Sequence, residues 1–88
     1  MPAVVVTGVS TGIGYGITCV LIKQEFQVFG SVRKQADADR LKAEFGDNFT
    51  PLIFDVTDEQ AVRRGADLVR EQLKGQTLFG LVNNAGVA

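Results

Sequence analysis

Short aliphatic runs alternate along this chain with longer stretches in which apolar positions return every three or four residues. That regular change of period is what strand–helix–strand units leave in a sequence. Ala3-Val4-Val5-Val6-Thr7 is almost wholly β-branched and predicts a strand buried on both faces at the centre of a parallel sheet. Beyond a glycine cluster, Ile13, Ile17, Val20 and Leu21 fall at helical spacing and predict a first helix with one apolar face, ending at Lys23-Gln24-Glu25. Gln27-Val28-Phe29-Gly30-Ser31-Val32 reads as a second strand. Ala38, Leu41 and Phe45 make an apolar stripe on a charged second helix, and Gly46 follows where a left-handed cap is expected. Leu52-Ile53-Phe54 predicts a third strand. Thr57 as N-cap, with Gln60 in the capping-box position, opens a third helix that aligns Val62, Ala66, Val69 and Leu73 on one face. Leu78-Phe79-Gly80-Leu81-Val82 is the fourth strand, stopped by the polar pair Asn83-Asn84. With right-handed crossovers the strand order becomes 3-2-1-4, an α/β nucleotide-binding half whose switch point lies between strands one and four.

Composition narrows what such a sheet can serve. Eighty-eight residues allow one core and not two. Nine basic and ten acidic residues, interspersed along the chain, leave no electrostatic footprint for nucleic acid or an anionic membrane surface. Aliphatic runs such as Cys19-Val20-Leu21-Ile22 are far short of the roughly 20 residues needed to span a membrane, and Met1-Pro2-Ala3 carries no charged leader. A cytoplasmic protein is expected. One cysteine and no histidine leave only carboxylates for metal binding, so no metal site is expected.

The chemistry is concentrated in Thr7-Gly8-Val9-Ser10-Thr11-Gly12-Ile13-Gly14, where a buried strand turns into a helix. Gly8 permits a sharp exit from the strand, Gly12 lets the backbone approach a pyrophosphate, and Gly14 lets the helix pack closely on the sheet. Ser10 and Thr11 add hydroxyl donors beside the positive end of the helix. The turn TGVSTGIG, with DVTD after the third strand and NNAG after the fourth, resembles the classical short-chain dehydrogenases/reductases over the whole chain. The resemblance implies a Rossmann-type parallel sheet and makes residues 1–88 a single, incomplete dinucleotide-binding domain. It further implies that Gly8, Ser10, Thr11, Gly12, Ile13 and Gly14 hold the cofactor's phosphates. Asp55 would accept a hydrogen bond from the adenine amine, Val56 would lie beside the ring, and Asn83, Ala85 and Gly86 would line the adenosine pocket. The second strand ends Ser31-Val32-Arg33-Lys34, without a carboxylate to accept from a ribose 2′-hydroxyl, so Arg33 and Lys34 favour the 2′-phosphate of NADP over NAD.

The same resemblance shows what these 88 residues lack. The family's catalytic tyrosine stands four residues before a lysine in the half that follows NNAG, whereas the single tyrosine here, Tyr15, lies in the phosphate turn with Cys19 four positions on. No catalytic residue is assigned. Glu25 occupies a position where the family often has glycine, and a left-handed backbone there would cost a non-glycine residue roughly 1–2 kcal/mol. The expected partners are the dinucleotide and either a missing C-terminal half or a second copy covering the open fourth strand. The expected function is the NADP-binding half of a carbonyl- or alcohol-directed oxidoreductase, with a noncatalytic NADP-sensing or scaffold module that pairs with another chain as the alternative.

Overall fold

The β-branched segment Ala3–Val6 forms strand β1, and the next strand, Gln27–Val32 (β2), lies parallel beside it with Val4 opposite Val28 and Val6 opposite Gly30. The computed structural model describes residues 2–10, 12–55, 57–75, 78 and 80–82. Helix α1 spans Gly12–Lys23, α2 spans Gln35–Phe45, and a single 3₁₀ turn at Gly46–Asn48 leads into strand β3, Phe49–Ile53. Helix α3 covers Glu59–Leu73, and β4, Gly80–Val82, returns to the far side of β1. The sheet is wholly parallel in the order β3-β2-β1-β4, as the alternating pattern requires.

Two apolar layers hold it. Val4, Val6, Val28, Val32 and Phe49 pack under α1 and α2 with Ala38 and Leu41, while Ala3, Phe29 and Leu52 face Val69 and Leu73 of α3. Alternate side chains of β1 and β2 thus enter opposite layers, which is why those strands read as unbroken apolar runs.

The helices differ from expectation in which face they bury. On α1, Gly14 and Thr18 are the buried positions, Ile17 and Leu21 pack partly against the core, and Ile13 and Val20 are 75% and 60% exposed. Gly14 and Thr18 mark the line of α1 that turns inward, and Ile13 and Val20 lie about 100–120° round the helix from Gly14. The Thr18 hydroxyl can be buried because it donates to the Gly14 carbonyl at 2.9 Å. On α3 the buried line is Ala61, Gly65, Val69 and Leu73, and Val62 and Ala66 turn instead toward a groove beside the sheet. This groove has a volume of about 540 Å³ and is lined by Val5, Phe54, Val62, Val69, Leu78 and Leu81 among others.

Three boundaries also move. β3 begins at Phe49, ahead of the Leu52-Ile53-Phe54 segment, and takes in Pro51. The Phe54 N–H points inward to the Val32 carbonyl at 3.0 Å. Alternation then turns the missing Pro51 donor to the open side of this edge strand, where proline is tolerated. On that side the Phe49 carbonyl accepts from Lys42 Nζ at 2.8 Å. The cap of α3 is Asp58, whose carboxylate accepts from the Ala61 N–H at 3.1 Å, and not Thr57. Described β4 is limited to Gly80–Val82, and the expected stop at Asn83-Asn84 lies outside the described residues.

Glu25 is left-handed, at φ 66°. Its N–H bonds to the Ile22 carbonyl and the Phe26 N–H to the Leu21 carbonyl, each at 3.0 Å. This pair of bonds is the Schellman ending of α1, a motif whose left-handed residue is usually glycine. Gly46 likewise follows α2 at positive φ, 78°, but with ψ −148° it sits in a region reserved to glycine and not in the left-handed helical well.

Candidate nucleotide-binding site

Parallel strands bring all their carboxyl ends to one side of a sheet, and this places the end of β1, the end of β2 and the segment after β3 in a row. The chain leaves β1 at Thr7, whose N–H still reaches the Val82 carbonyl of β4 at 3.0 Å. It then turns sharply at Gly8, φ 66°. The Gly8 N–H donates to Ser31 Oγ at 2.9 Å, and the Val9 N–H donates to the Ser31 carbonyl at 3.0 Å. Val9 is fully buried, so the turn is pinned to the core at its middle.

Gly12 opens α1 at φ 65°, exposed, with nothing within 4 Å of where a side chain would begin. No acidic residue stands in the first turn of α1, so no carboxylate of that turn counters the positive end of the helix. Ile13 is exposed beside Gly12, and Gly14 is buried against the sheet. Ser10 is half-buried, and its carbonyl accepts from Arg40 Nη2 at 3.0 Å. Arg40, on α2 and also bonded to Asp37 Oδ1 at 3.4 Å, brings to the turn a guanidinium that residue order alone does not place there.

Arg33 and Lys34 follow β2 and are exposed. Arg33 reaches across to the segment after β3, where its Nη2 lies 3.3 Å from Asp55 Oδ2. The other carboxylate oxygen, Oδ1, accepts from the Thr57 N–H at 2.9 Å and from the Thr57 hydroxyl at 2.8 Å. These bonds hold the Asp55 carboxyl below its ordinary pKa, the backbone donor first, then the hydroxyl, with Arg33 adding to them. The residue after Thr57, Asp58, supplies the helix cap. Arg33 and Asp55, expected to meet different parts of the ligand, are therefore in contact with each other. Thr11, Val56, Asn83, Ala85 and Gly86 lie outside the described residues.

Tyr15 faces away from any such chemistry. Its hydroxyl donates to Glu44 of α2, and its ring packs on Phe45 with centroids 5.8 Å apart. The bond to Glu44 is the main cause of a phenol pKa raised above its ordinary value. This residue ties α1 to α2.

Among the described residues no group of three or more potential metal ligands comes together, and no helix is long and apolar enough to cross a membrane. The large groove between α3 and the sheet is apolar, and neither Gly8, Gly12, Arg33 nor Asp55 lines it. The turn, the two exposed cations and the Asp55 carboxylate lie apart from that groove and make up the candidate site, with open space beside the backbone at Gly12.

The family model described as short chain dehydrogenase matches residues 2–88. An NADPH-dependent 3-dehydrocapnine reductase from Ornithobacterium rhinotracheale is 43% identical over 84 residues, covering 96% of this chain and 30% of its own length. A probable NADP-dependent dehydrogenase from Dichelobacter nodosus is 33% identical over 85 residues, covering 97% of this chain and 78% of its own length. A short chain dehydrogenase/reductase crystal structure from Saccharomyces cerevisiae superposes with a TM-score of 0.82 at 36% identity, covering 99% of this chain and 34% of that one. The chain thus spans about a third of the length of the first relative and of the solved structure.

Proposed function

Because the chain belongs to the short chain dehydrogenase family, we propose that the ends of β1, β2 and β3 form the adenosine and phosphate side of a nicotinamide dinucleotide site, with NADP favoured over NAD. The observation that carries this reading is the alignment of the Gly8–Gly12 turn, Arg33 and Asp55 at the same ends of adjacent parallel strands. The turn and the start of α1 hold the pyrophosphate, Asp55 meets the adenine edge, and Arg33 with Lys34 receives the 2′-phosphate. Two matched relatives are named for NADPH or NADP, which supports the choice between the dinucleotides. Val56, Asn83, Ala85 and Gly86 complete the adenosine pocket in this proposal, and Thr11 adds its hydroxyl to the turn. When bound, the nicotinamide supplies hydride chemistry, while these residues bind and orient the opposite end of the molecule.

The reaction itself, on a carbonyl or alcohol, belongs in this reading to a longer polypeptide or to a partner that supplies the acid and the substrate pocket. The one free cysteine fits a reducing, cytoplasmic setting. The test is a titration of NADP and NAD against the 88-residue chain and its Arg33→Asp variant. A charge-assisted contact to the extra phosphate corresponds to about a tenfold preference for NADP, and the variant reverses the order. An affinity ratio that Arg33→Asp leaves unchanged removes Arg33 from the reading, and no binding of either dinucleotide removes the reading itself.

A further inference from the structure

We infer that Ser31 is a positioning residue of this site: its hydroxyl, reaching from the second strand, sets the shape of the phosphate turn that follows the first. The inference rests on the dinucleotide reading and deepens it, because it names what holds the turn before any ligand arrives. Ser31 is 2% exposed, between the buried residues Gly30 and Val32 of β2. A hydroxyl at such a depth is costly unless it is bonded, and its described contact is with the turn. Its Oγ accepts from the Gly8 N–H, while its main-chain carbonyl accepts from the Val9 N–H. One residue thus receives two successive donors of the turn, through two different oxygens.

This arrangement has a direct effect on ligand binding. With the Gly8 and Val9 donors committed to Ser31, the donors left for a phosphate begin at Ser10 and continue into α1. The Gly8 bond fixes where the chain departs from β1 and, with it, where those later donors lie. Arg33 stands two residues beyond Ser31, just past the end of β2. The same short segment therefore shapes the phosphate turn and carries the cation assigned to the 2′-phosphate. A serine-to-alanine change removes the Oγ bond but leaves the carbonyl bond to Val9, so it separates the hydroxyl's contribution from that of the strand.

The experiment compares the 88-residue chain with Ser31→Ala and Ser31→Thr, using NADP and adenosine 2′-monophosphate as probes in ligand-observed NMR, with thermal melting alongside. NADP carries the pyrophosphate, whereas adenosine 2′-monophosphate carries the adenine and the 2′-phosphate alone. The expected result is at least a fivefold loss of NADP affinity in Ser31→Ala, with the mononucleotide held within twofold, and tighter NADP binding by Ser31→Thr than by Ser31→Ala. Amide exchange at Gly8 in the free Ser31→Ala chain should accelerate, while the β1–β2 ladder stays protected. Equal losses for both probes, no loss for either, or weaker binding by Ser31→Thr than by Ser31→Ala overturns the inference while the dinucleotide reading stands. Failure of the wild-type chain to bind NADP overturns both.

Discussion

Gly30→Ala is the sharpest test of how the sheet and the turn are packed together. Gly30 lies in β2 opposite Val6 and Pro51, and a methyl group placed on it would stand 2.6 Å from Phe49 Cε1, 2.8 Å from Val9 Cγ2 and 3.0 Å from Phe49 Cζ. All three distances fall short of the 3.4 Å at which ordinary contact begins. Phe49 and Val9 are both fully buried, so neither can swing aside into solvent. Overpacking of this kind costs about 1–3 kcal/mol, and two immovable neighbours put this case near the upper end. For a chain of this size, that lowers the melting temperature by on the order of 10–20 °C. Val9 is part of the phosphate turn, so NADP affinity should fall with stability. Gly65→Ala is the contrasting case. Its methyl would come within 2.8 Å of Phe54 Cε1, but Phe54 is half-buried beside an open groove and can rotate, while alanine favours the helix. Adding Phe49→Leu to Gly30→Ala should recover at least about 1 kcal/mol relative to the sum of the two single changes. Urea unfolding and thermal melts read all four variants. A Gly30→Ala protein that melts within about 2 °C of wild type, well inside the shift expected from overpacking, or strictly additive energies in the double variant, would refute the packing argument.

Glu25→Gly should stabilise the chain by about 1 kcal/mol, seen as a higher denaturation midpoint, because the left-handed Schellman position is then free of its side-chain penalty. An unchanged midpoint would mean that the penalty is relieved elsewhere. Asp55 should make stability depend on acid: its folded pKa is lowered, so its contribution is present above the unfolded value of about 4 and is lost as pH falls through the folded value. Wild type should therefore lose more stability than Asp55→Asn on acidification through that window, and parallel curves would contradict it. The 88-residue chain alone should oxidise NADPH at the buffer rate with aldehydes or ketones, since the hydroxyl of its single tyrosine donates its hydrogen bond to Glu44 and keeps its proton more tightly than an ordinary phenol. Saturable turnover abolished by Gly12→Asp would show otherwise.

The parallel sheet was legible because each strand of its centre is apolar on both faces, a pattern few other environments produce. The helical faces were less so. Ile13 and Val20 are as apolar as the residues that pack, and periodicity alone does not say which line, here Gly14 and Thr18, turns inward. Val62 and Ala66 belong to an apolar face that the described residues cover only in part, so periodicity alone placed them too deep. Pro51 hid the start of β3, because a proline argues against a strand unless its missing donor faces an open edge. At the site, Gly8, Gly12 and Arg33 were visible from residue type and position. The Ser31 bonds and the Arg40 contact depend on side chains from elements some 20–30 residues apart, and residue order does not specify such distances. A serine inside a strand otherwise fit for burial was the one sign that something there needed a partner.

The two rims of the sheet are chemically unequal, and the difference decides how readily a further strand can join at β3. At β3 the ladder lacks a donor at Pro51, and Lys42 occupies the Phe49 carbonyl, so this rim is blunted much as a capped chain end is in a polymerisation. At β4, Gly80–Val82 has β1 on one side and no described strand on the other, with Leu81 64% exposed. Head-to-tail stacking, which would join β4 of one molecule to β3 of the next and propagate into a filament, meets the capped rim at every step.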